Sequence, residues 1–299
     1  MFDPFTFYDV PLDAPTTYEP MGTKDKFWFD RAGESWLFKA SRPDQGQHWA
    51  EVLAAALASK LGLPHAQYQI ARCRTEIGVV TPRFTAEGYE LVHGNEFLAD
   101  RDPSYPRDGE RYKTREHTID AVKAAIVGKG VQLPVDWLVP IGISLALDVF
   151  AGYLLLDAWI GNTDRHHENW GIVRSKSADY LAPTFDHASS LGAHLSDEQR
   201  FKRLASRDKG FQVETYVKRA RSALYSKDDD VRPLKIIQAF AAWSQGIHGV
   251  IWLQKLSLIA ETDVEGLISQ FPHDAASASA LTFALEMLKH NKKHIMETV

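Results

Sequence analysis

Cysteine is almost absent from this sequence: Cys73 is the only one in 299 residues. A single thiol closes no internal disulfide and builds no cysteine zinc cluster, so a disulfide scaffold and a zinc-finger module are both excluded. An excess of positive charge is missing as well. Lys and Arg number 34 against 39 Asp and Glu, a formal net charge of -5, which leaves no global footprint for nucleic acid or an anionic membrane. No clean membrane-spanning run occurs. The longest apolar stretch, Ile141 to Ile160, carries Ser144, Asp148 and Asp157, and carboxylates at membrane depth are expensive, so it reads as a buried helix. The start, Met1-Phe2-Asp3-Pro4, has an acid and a proline where a signal peptide carries a basic and then an apolar segment. Repeats and low-complexity segments are also lacking. What remains is the expectation of a soluble, cytoplasmic, globular protein with no direct nucleic-acid or membrane partner. Its hydrophobic fraction of 44% is ample for one large domain or two lobes.

The pattern along the chain changes from period two to period 3.6. Lys26 to Asp30 and Ser35 to Ala40 read as a hairpin around Arg31-Ala32-Gly33-Glu34, with Lys39 on its second strand. Gln47 to Leu61 reads as a helix with Trp49, Val52, Ala56 and Leu57 on one stripe, ended by Gly62 and Pro64. Ala66 to Cys73 and Ile77 to Phe84 are strand-like. The polar stretch from Ala99 to Arg115 reads as a surface excursion or linker. Beyond it, helices are expected near 118–128, 140–160, 212–225, 232–247 and 279–293, interrupted by a polar insert from Gly161 to Gly192. This predicts an α+β chain: a β-rich unit over 1–95 and an all-helical unit over 96–299.

The insert holds residues of one chemistry. It reads Asn162-Thr163-Asp164-Arg165-His166-His167-Glu168-Asn169-Trp170, and Asp186 follows in Leu181-Ala182-Pro183-Thr184-Phe185-Asp186. Phosphoryl transfer needs a carboxylate to orient the acceptor hydroxyl and take its proton, hard oxygen ligands for Mg²⁺, and a lysine, positioned by a helix carboxylate, to neutralise phosphate charge. Asp164, then Asn169 and Asp186, and Lys39 with Glu51 supply those parts. Asp164 and Asn169 stand at the D-x-x-x-x-N spacing of the kinase catalytic loop. One such match is common by chance. Five parts in order on the expected kinds of element are not.

These residues resemble the HipA-like serine/threonine kinases of bacterial toxin–antitoxin systems, and Phe283-Ala284-Leu285-Glu286-Met287-Leu288 is similar to that family's last helix. The resemblance runs from about Thr17 onward. It implies a two-lobed, protein-kinase-like fold, with ATP and Mg²⁺ as cofactors and a protein serine or threonine as acceptor. It further implies Asp164 as base, Asn169 and Asp186 on magnesium, Lys39 on the phosphates, and Thr81-Pro82-Arg83-Phe84 against adenine. A cognate antitoxin is implied as partner. The chain is a short form, because Lys39 comes too early for the extra N-terminal subdomain of longer members. The family's phosphate loop, S-x-S-G-x-Q-P-K, corresponds to Glu19-Pro20-Met21-Gly22-Thr23-Lys24-Asp25-Lys26. Gly22 and Lys26 match, and Thr23 and Lys24 lie between them. Glu19 and Met21 replace the serines, one of which is autophosphorylated in relatives.

Two other functions remain open on the sequence. The D-R-H-x-x-N pattern also resembles the loop of phosphatidylinositol kinases, and a nucleotide-binding pseudokinase would serve as a partner-binding module. His166 and His167 are adjacent, so their side chains diverge and do not form a metal pair. His166 is expected beside the catalytic loop in a structural or phosphate-side role, and His167 as its exposed neighbour. Trp159 and Trp170 read as core, and Cys73 as a buried, inert thiol.

Overall fold

The computed structural model describes residues 3–18, 26–108, 113–227, 229–245 and 248–299. Strand alternation organises its first third. β1 (Tyr8–Asp9), β2 (Pro15–Tyr18), β3 (Lys26–Arg31), β4 (Glu34–Ala40), β5 (Gln69–Cys73) and β6 (Glu76–Pro82) form one sheet in the order β1-β5-β6-β4-β3-β2. β1 runs parallel to β5, and the remaining pairs are antiparallel. One face buries Phe27, Phe29, Trp36, Phe38, Ala71, Cys73 and Val80 as a core of its own. Gly78 lets β4 and β6 approach, since a Cβ there would sit 2.2 Å from the Lys39 carbonyl oxygen. α1 (Gln47–Leu61) connects β4 to β5 and packs on the sheet's other face, ending on Gly62 in the left-handed conformation.

The main core joins α1 to α4 (Ala146–Ile160), a helix buried on all sides. Between them in sequence come β7 (Glu90–His93), α2 (Gly94–Ala99) and α3 (Ile119–Gly128). After α4 follow β8 (Gly171–Arg174), β9 (Asp179–Leu181), α5 (Asp197–Leu204), α6 (Val213–Lys218), α7 (Ile236–Trp243), α8 (Val250–Leu258), α9 (Glu261–Ile268) and α10 (Ala278–Thr298).

Several expectations need correction. The second unit is not all-helical: β7, β8 and β9 form a three-stranded antiparallel sheet. β7 pairs with β8, so residues 90–93, expected in the first unit, belong with the second sheet. The helix expected over 140–160 begins at Ala146, because the Asp148 carboxylate caps it by accepting from the Ser144 and Leu145 N–H groups. The helix expected over 212–225 stops at Lys218, and the following residues bridge instead to Lys235 and Thr118. The helix expected over 232–247 is α7 only, because Pro233 fills no interior helical position. The excursion from Ala99 to Arg115 is no free linker, since Tyr105 and Thr114 are buried.

Candidate active site

A cavity of about 560 Å³ opens where the sheet faces the helical part. Lys26, Trp28, Leu37, Lys39 and Thr81 line it from the sheet. They do so because they alternate with Phe27, Phe29, Trp36, Phe38 and Val80, which fill the core on the opposite face. A register slip of one residue would exchange the two sets. Asn169, Phe185, Asp186 and His93 line the opposite wall, and Pro82 to Thr85 close the side.

That closing strip is an extension of β6. The Arg83 N–H donates to the Ser35 carbonyl, and Leu37 lies opposite Thr81. Successive residues in a ladder turn their backbone groups to opposite sides. Pro82 therefore turns its carbonyl, and Phe84 its N–H, away from β4, on the edge that β5 leaves open beyond the Gln69–Val80 pair. An acceptor and a donor two residues apart on a cavity edge form a hydrogen-bonding pattern that a purine can read.

Lys39 connects three elements. Its Nζ lies 2.9 Å from Asp186 Oδ1 and 3.9 Å from Glu51 Oε2 on α1. Burial alone would push the ammonium down, but Asp186, then Tyr68 and Glu51, outweigh it and hold Lys39 above the usual lysine range. Burial pushes the Tyr68 hydroxyl up, so it stays protonated. Its oxygen accepts from the Asp186 N–H at 3.2 Å. Asp186 itself has φ of 58°, a left-handed conformation that a non-glycine residue keeps only when its surroundings impose it. Glu51 is 1% exposed, and its Oε1 accepts from the His187 N–H at 2.6 Å.

The loop after α4 is held by a buried ion pair. Arg165, fully buried, donates through Nε and Nη2 to the two oxygens of Asp157, both at 2.8 Å. Its remaining donors reach the Asn169 carbonyl at 2.6 Å and Thr184 Oγ1 at 3.0 Å. Asn162 also donates to Asp157. Asp164 stands on this support. Asn169 Nδ2 donates to the Asp164 main-chain oxygen at 2.8 Å, which leaves the amide oxygen as the atom Asn169 can offer a cation. The Ser189 hydroxyl donates to Asp164 Oδ2 at 3.1 Å.

The arrangement agrees with what the chain resembles. The sequence model of the HipA-like C-terminal domain matches residues 19–242. The chain belongs to the HipA-like family. No curated protein sequence matches it significantly. Among solved structures, it is similar to the Helicobacter pylori proinflammatory kinase CtkA, with a TM-score of 0.74 at 19% identity over 98% of this chain and 96% of that one. It is also similar to HipA of Shewanella oneidensis MR-1, solved with HipB and operator DNA, with a TM-score of 0.58 at 14% identity over 95% of this chain and 67% of that one. At such identities the likeness is one of fold.

Within this HipA-like chain, Lys39, Glu51 and Asp186 come together as a cluster, and Asn169 shares the cavity wall with Asp186. Lys26, Thr81, Arg83 and Phe84 line the cavity. Gly22, Thr23 and Lys24, with Glu19 and Met21, lie outside the described residues. His166 is buried and does not line the cavity; its Nδ1 accepts from the Glu168 N–H and its Nε2 lies 3.6 Å from Asp164 Oδ1. His167 is not an exposed neighbour: it is fully buried, with Nδ1 2.9 Å from the Tyr105 hydroxyl. Burial also pushes the Cys73 thiol up. Sequence reasoning missed Asp157, Arg165, Thr184, His187 and Ser189. Each sits within a few residues of a recognised position, but a structural polar residue has no spacing signature of its own.

Proposed function

We propose that this chain is an ATP-dependent protein serine/threonine kinase with two lobes, the β1–β6 sheet with α1 forming the smaller one. The observation that carries the reading is the Lys39–Asp186–Glu51 cluster on a cavity that Asn169 also lines. Beside the cluster, the cavity is edged by the backbone of Pro82 to Thr85. In this reading, the Pro82 carbonyl and the Phe84 N–H hold adenine, and Lys26 and Lys39 face the phosphates.

The donor set fits magnesium. The ion takes hard oxygens and is usually held by one or two carboxylates plus substrate phosphates. Asp186 Oδ and Asn169 Oδ1 would hold it, with Lys39 released from Asp186 toward Glu51 Oε2, a buried oxygen with no hydrogen-bond partner. When bound, magnesium neutralises phosphate charge and orients the γ-phosphoryl group. Asp164 orients the acceptor hydroxyl and takes its proton as the oxygen attacks phosphorus and the bond to the β-phosphate oxygen breaks, releasing ADP.

The protein acceptor is supported by the family and by the fold shared with CtkA, a kinase. HipA of Shewanella oneidensis forms a complex with HipB. By that analogy we extend the proposal to a toxin role and a cognate antitoxin. The decisive experiment incubates the protein with Mg-ATP and cell-lysate proteins and follows phosphate by intact mass. Transfer that Asp164→Ala abolishes is expected. Equal behaviour of wild type and Asp164→Ala would overturn the assignment. Transfer to phosphoinositide vesicles alone would make it a lipid kinase, and ATP binding without turnover a pseudokinase.

A further inference from the structure

His187 follows Asp186 directly and is fully buried. Its ring lies between the loop that carries Asp164 and the carboxylate that faces Lys39. On one side, Nε2 is 2.8 Å from Thr184 Oγ1. That hydroxyl accepts from Arg165 Nη2 at 3.0 Å and still has its own proton to give to the histidine, the direction taken in this inference. Nε2 is then the acceptor, and the ring hydrogen sits on Nδ1. On the other side, Nδ1 lies 3.6 Å from Glu51 Oε1, too long for a hydrogen bond. Both His187 Nδ1 and Glu51 Oε2 are buried atoms without a hydrogen-bond partner.

Two adjacent orphaned polar atoms in a closed interior are rare. Here both are short of a partner by less than an ångström, Nδ1 from Glu51 Oε1 and Oε2 from Lys39 Nζ at 3.9 Å. The geometry points to His187 as a positioning residue: with Nε2 accepting from the Thr184 hydroxyl, its Nδ1–H clasps Glu51 when Lys39 leaves Asp186. The clasp joins the Asp164 loop to the lysine through buried hydrogen bonds.

This inference rests on the kinase reading for its purpose, but its test does not need phosphoryl transfer. An acyl-phosphate derivative of ATP, bound in the cavity, transfers its acyl group to the Lys39 amine and leaves as ATP. The labelling rate, read on the Lys39 peptide by mass spectrometry, reports how well the lysine is placed. His187→Leu is expected to slow labelling about tenfold, the scale of a lost supporting hydrogen bond. His187→Asn, which keeps a donor near the Nδ1 position, is expected to recover most of the rate. His187→Gln, which reaches Thr184 but not Glu51, is expected to recover little. On a Glu51→Gln background the loss from His187→Leu should shrink to less than about twofold, because the two residues act through one contact. Equal rates for the Asn and Gln variants would overturn the clasp, even where the Leu variant folds poorly. Wild-type rates in the Leu variant, or additive losses with Glu51→Gln, would overturn it too. A wild type that labels but transfers no phosphate would remove the kinase reading and leave the clasp standing; a wild type that does not label would remove both.

Discussion

Asp164 and Arg165 are neighbours with opposite tasks. Asp164 is not among the residues that line the cavity and keeps a carboxylate 19% exposed, while Arg165 places its charge in the interior against Asp157. Burial alone would push the guanidinium down, but Asp157 outweighs it and holds Arg165 above the usual arginine range. Breaking such a pair leaves a buried, uncompensated carboxylate. Arg165→Leu is therefore expected to lose about 3–5 kcal/mol in denaturant titration. Asp164→Ala should retain the fold and lower phosphoryl transfer by about 10²–10⁴-fold, the range for a lost general base, measured by radiolabel incorporation. The motif spacing made Asp164, Asn169 and Asp186 legible. It said nothing of Asp157 or Thr184, because a residue that holds a loop in place contacts it at whatever sequence separation the fold happens to supply.

Elements carry two further expectations. Gly152, in the middle of α4, has Leu63 Cδ2 only 2.5 Å and Trp252 Cε2 2.6 Å from where a Cβ would sit. Gly152→Ala must push α1's end and α8 aside, and a cost of about 1–3 kcal/mol is expected by thermal denaturation. The β7–β8 sheet rests on a second buried device. His117 accepts from Trp170 Nε1 at 3.1 Å through Nε2, and its Nδ1 pairs with the Ala223 carbonyl. Burial first, then the neighbouring His167, pushes His117 down to about 3. Between that value and about 6.5, the ordinary histidine pKa, the unfolded chain carries a proton that the folded chain does not. The stability is full above about 6.5 and falls as pH drops toward 3, by up to about 1.4 kcal/mol per pH unit from this group. His117→Gln, whose amide can still accept and donate, should flatten the urea-midpoint decline across that window. Among elements, α1 was legible to the residue and β3, β4 and β6 nearly so, since alternation and Gly62 are local signals. β7 to β9 were not, because three- and four-residue strands are too short to show a period.

At the scale of the whole molecule, the cavity sits between the sheet and the helical part, so a ligand there joins both. Mg-ATP binds only the folded chain in this reading. It should raise the unfolding free energy by about 2.7 kcal/mol at a hundredfold excess over its dissociation constant. A thermal shift that appears with Mg-ATP, and weakens when EDTA is added or in Asp186→Asn, is the expected result. An unchanged melting curve at saturating Mg-ATP would count against the cavity as a nucleotide site. No helix among the described residues is long and apolar enough to cross a membrane. Of the stretch Ile141 to Ile160, read as a buried helix, only Ala146–Ile160 is one, with Asp148 capping it and Asp157 holding Arg165, whereas Ile141 and Leu145 are exposed.

The sequence by itself determined the local elements and singled out the positions proposed to carry the chemistry. Alternation along β3 and β4 decides which side chains share a face, and the Asp164–Asn169 spacing is a property of one short loop. Only the tertiary structure decided that Lys39 rests on Asp186 and not on Glu51, that Arg165 is buried on Asp157, and that His187 stands between the two sides of the site. Those contacts join residues whose separations range from 8 to 147 positions. Their distances depend on how a sheet and a helix bundle pack, and packing responds to every buried side chain at once. The cysteine bridges that the sequence excludes have their counterpart here: among the described residues, buried hydrogen bonds and ion pairs join the parts of this site, and those become visible only when the chain is folded.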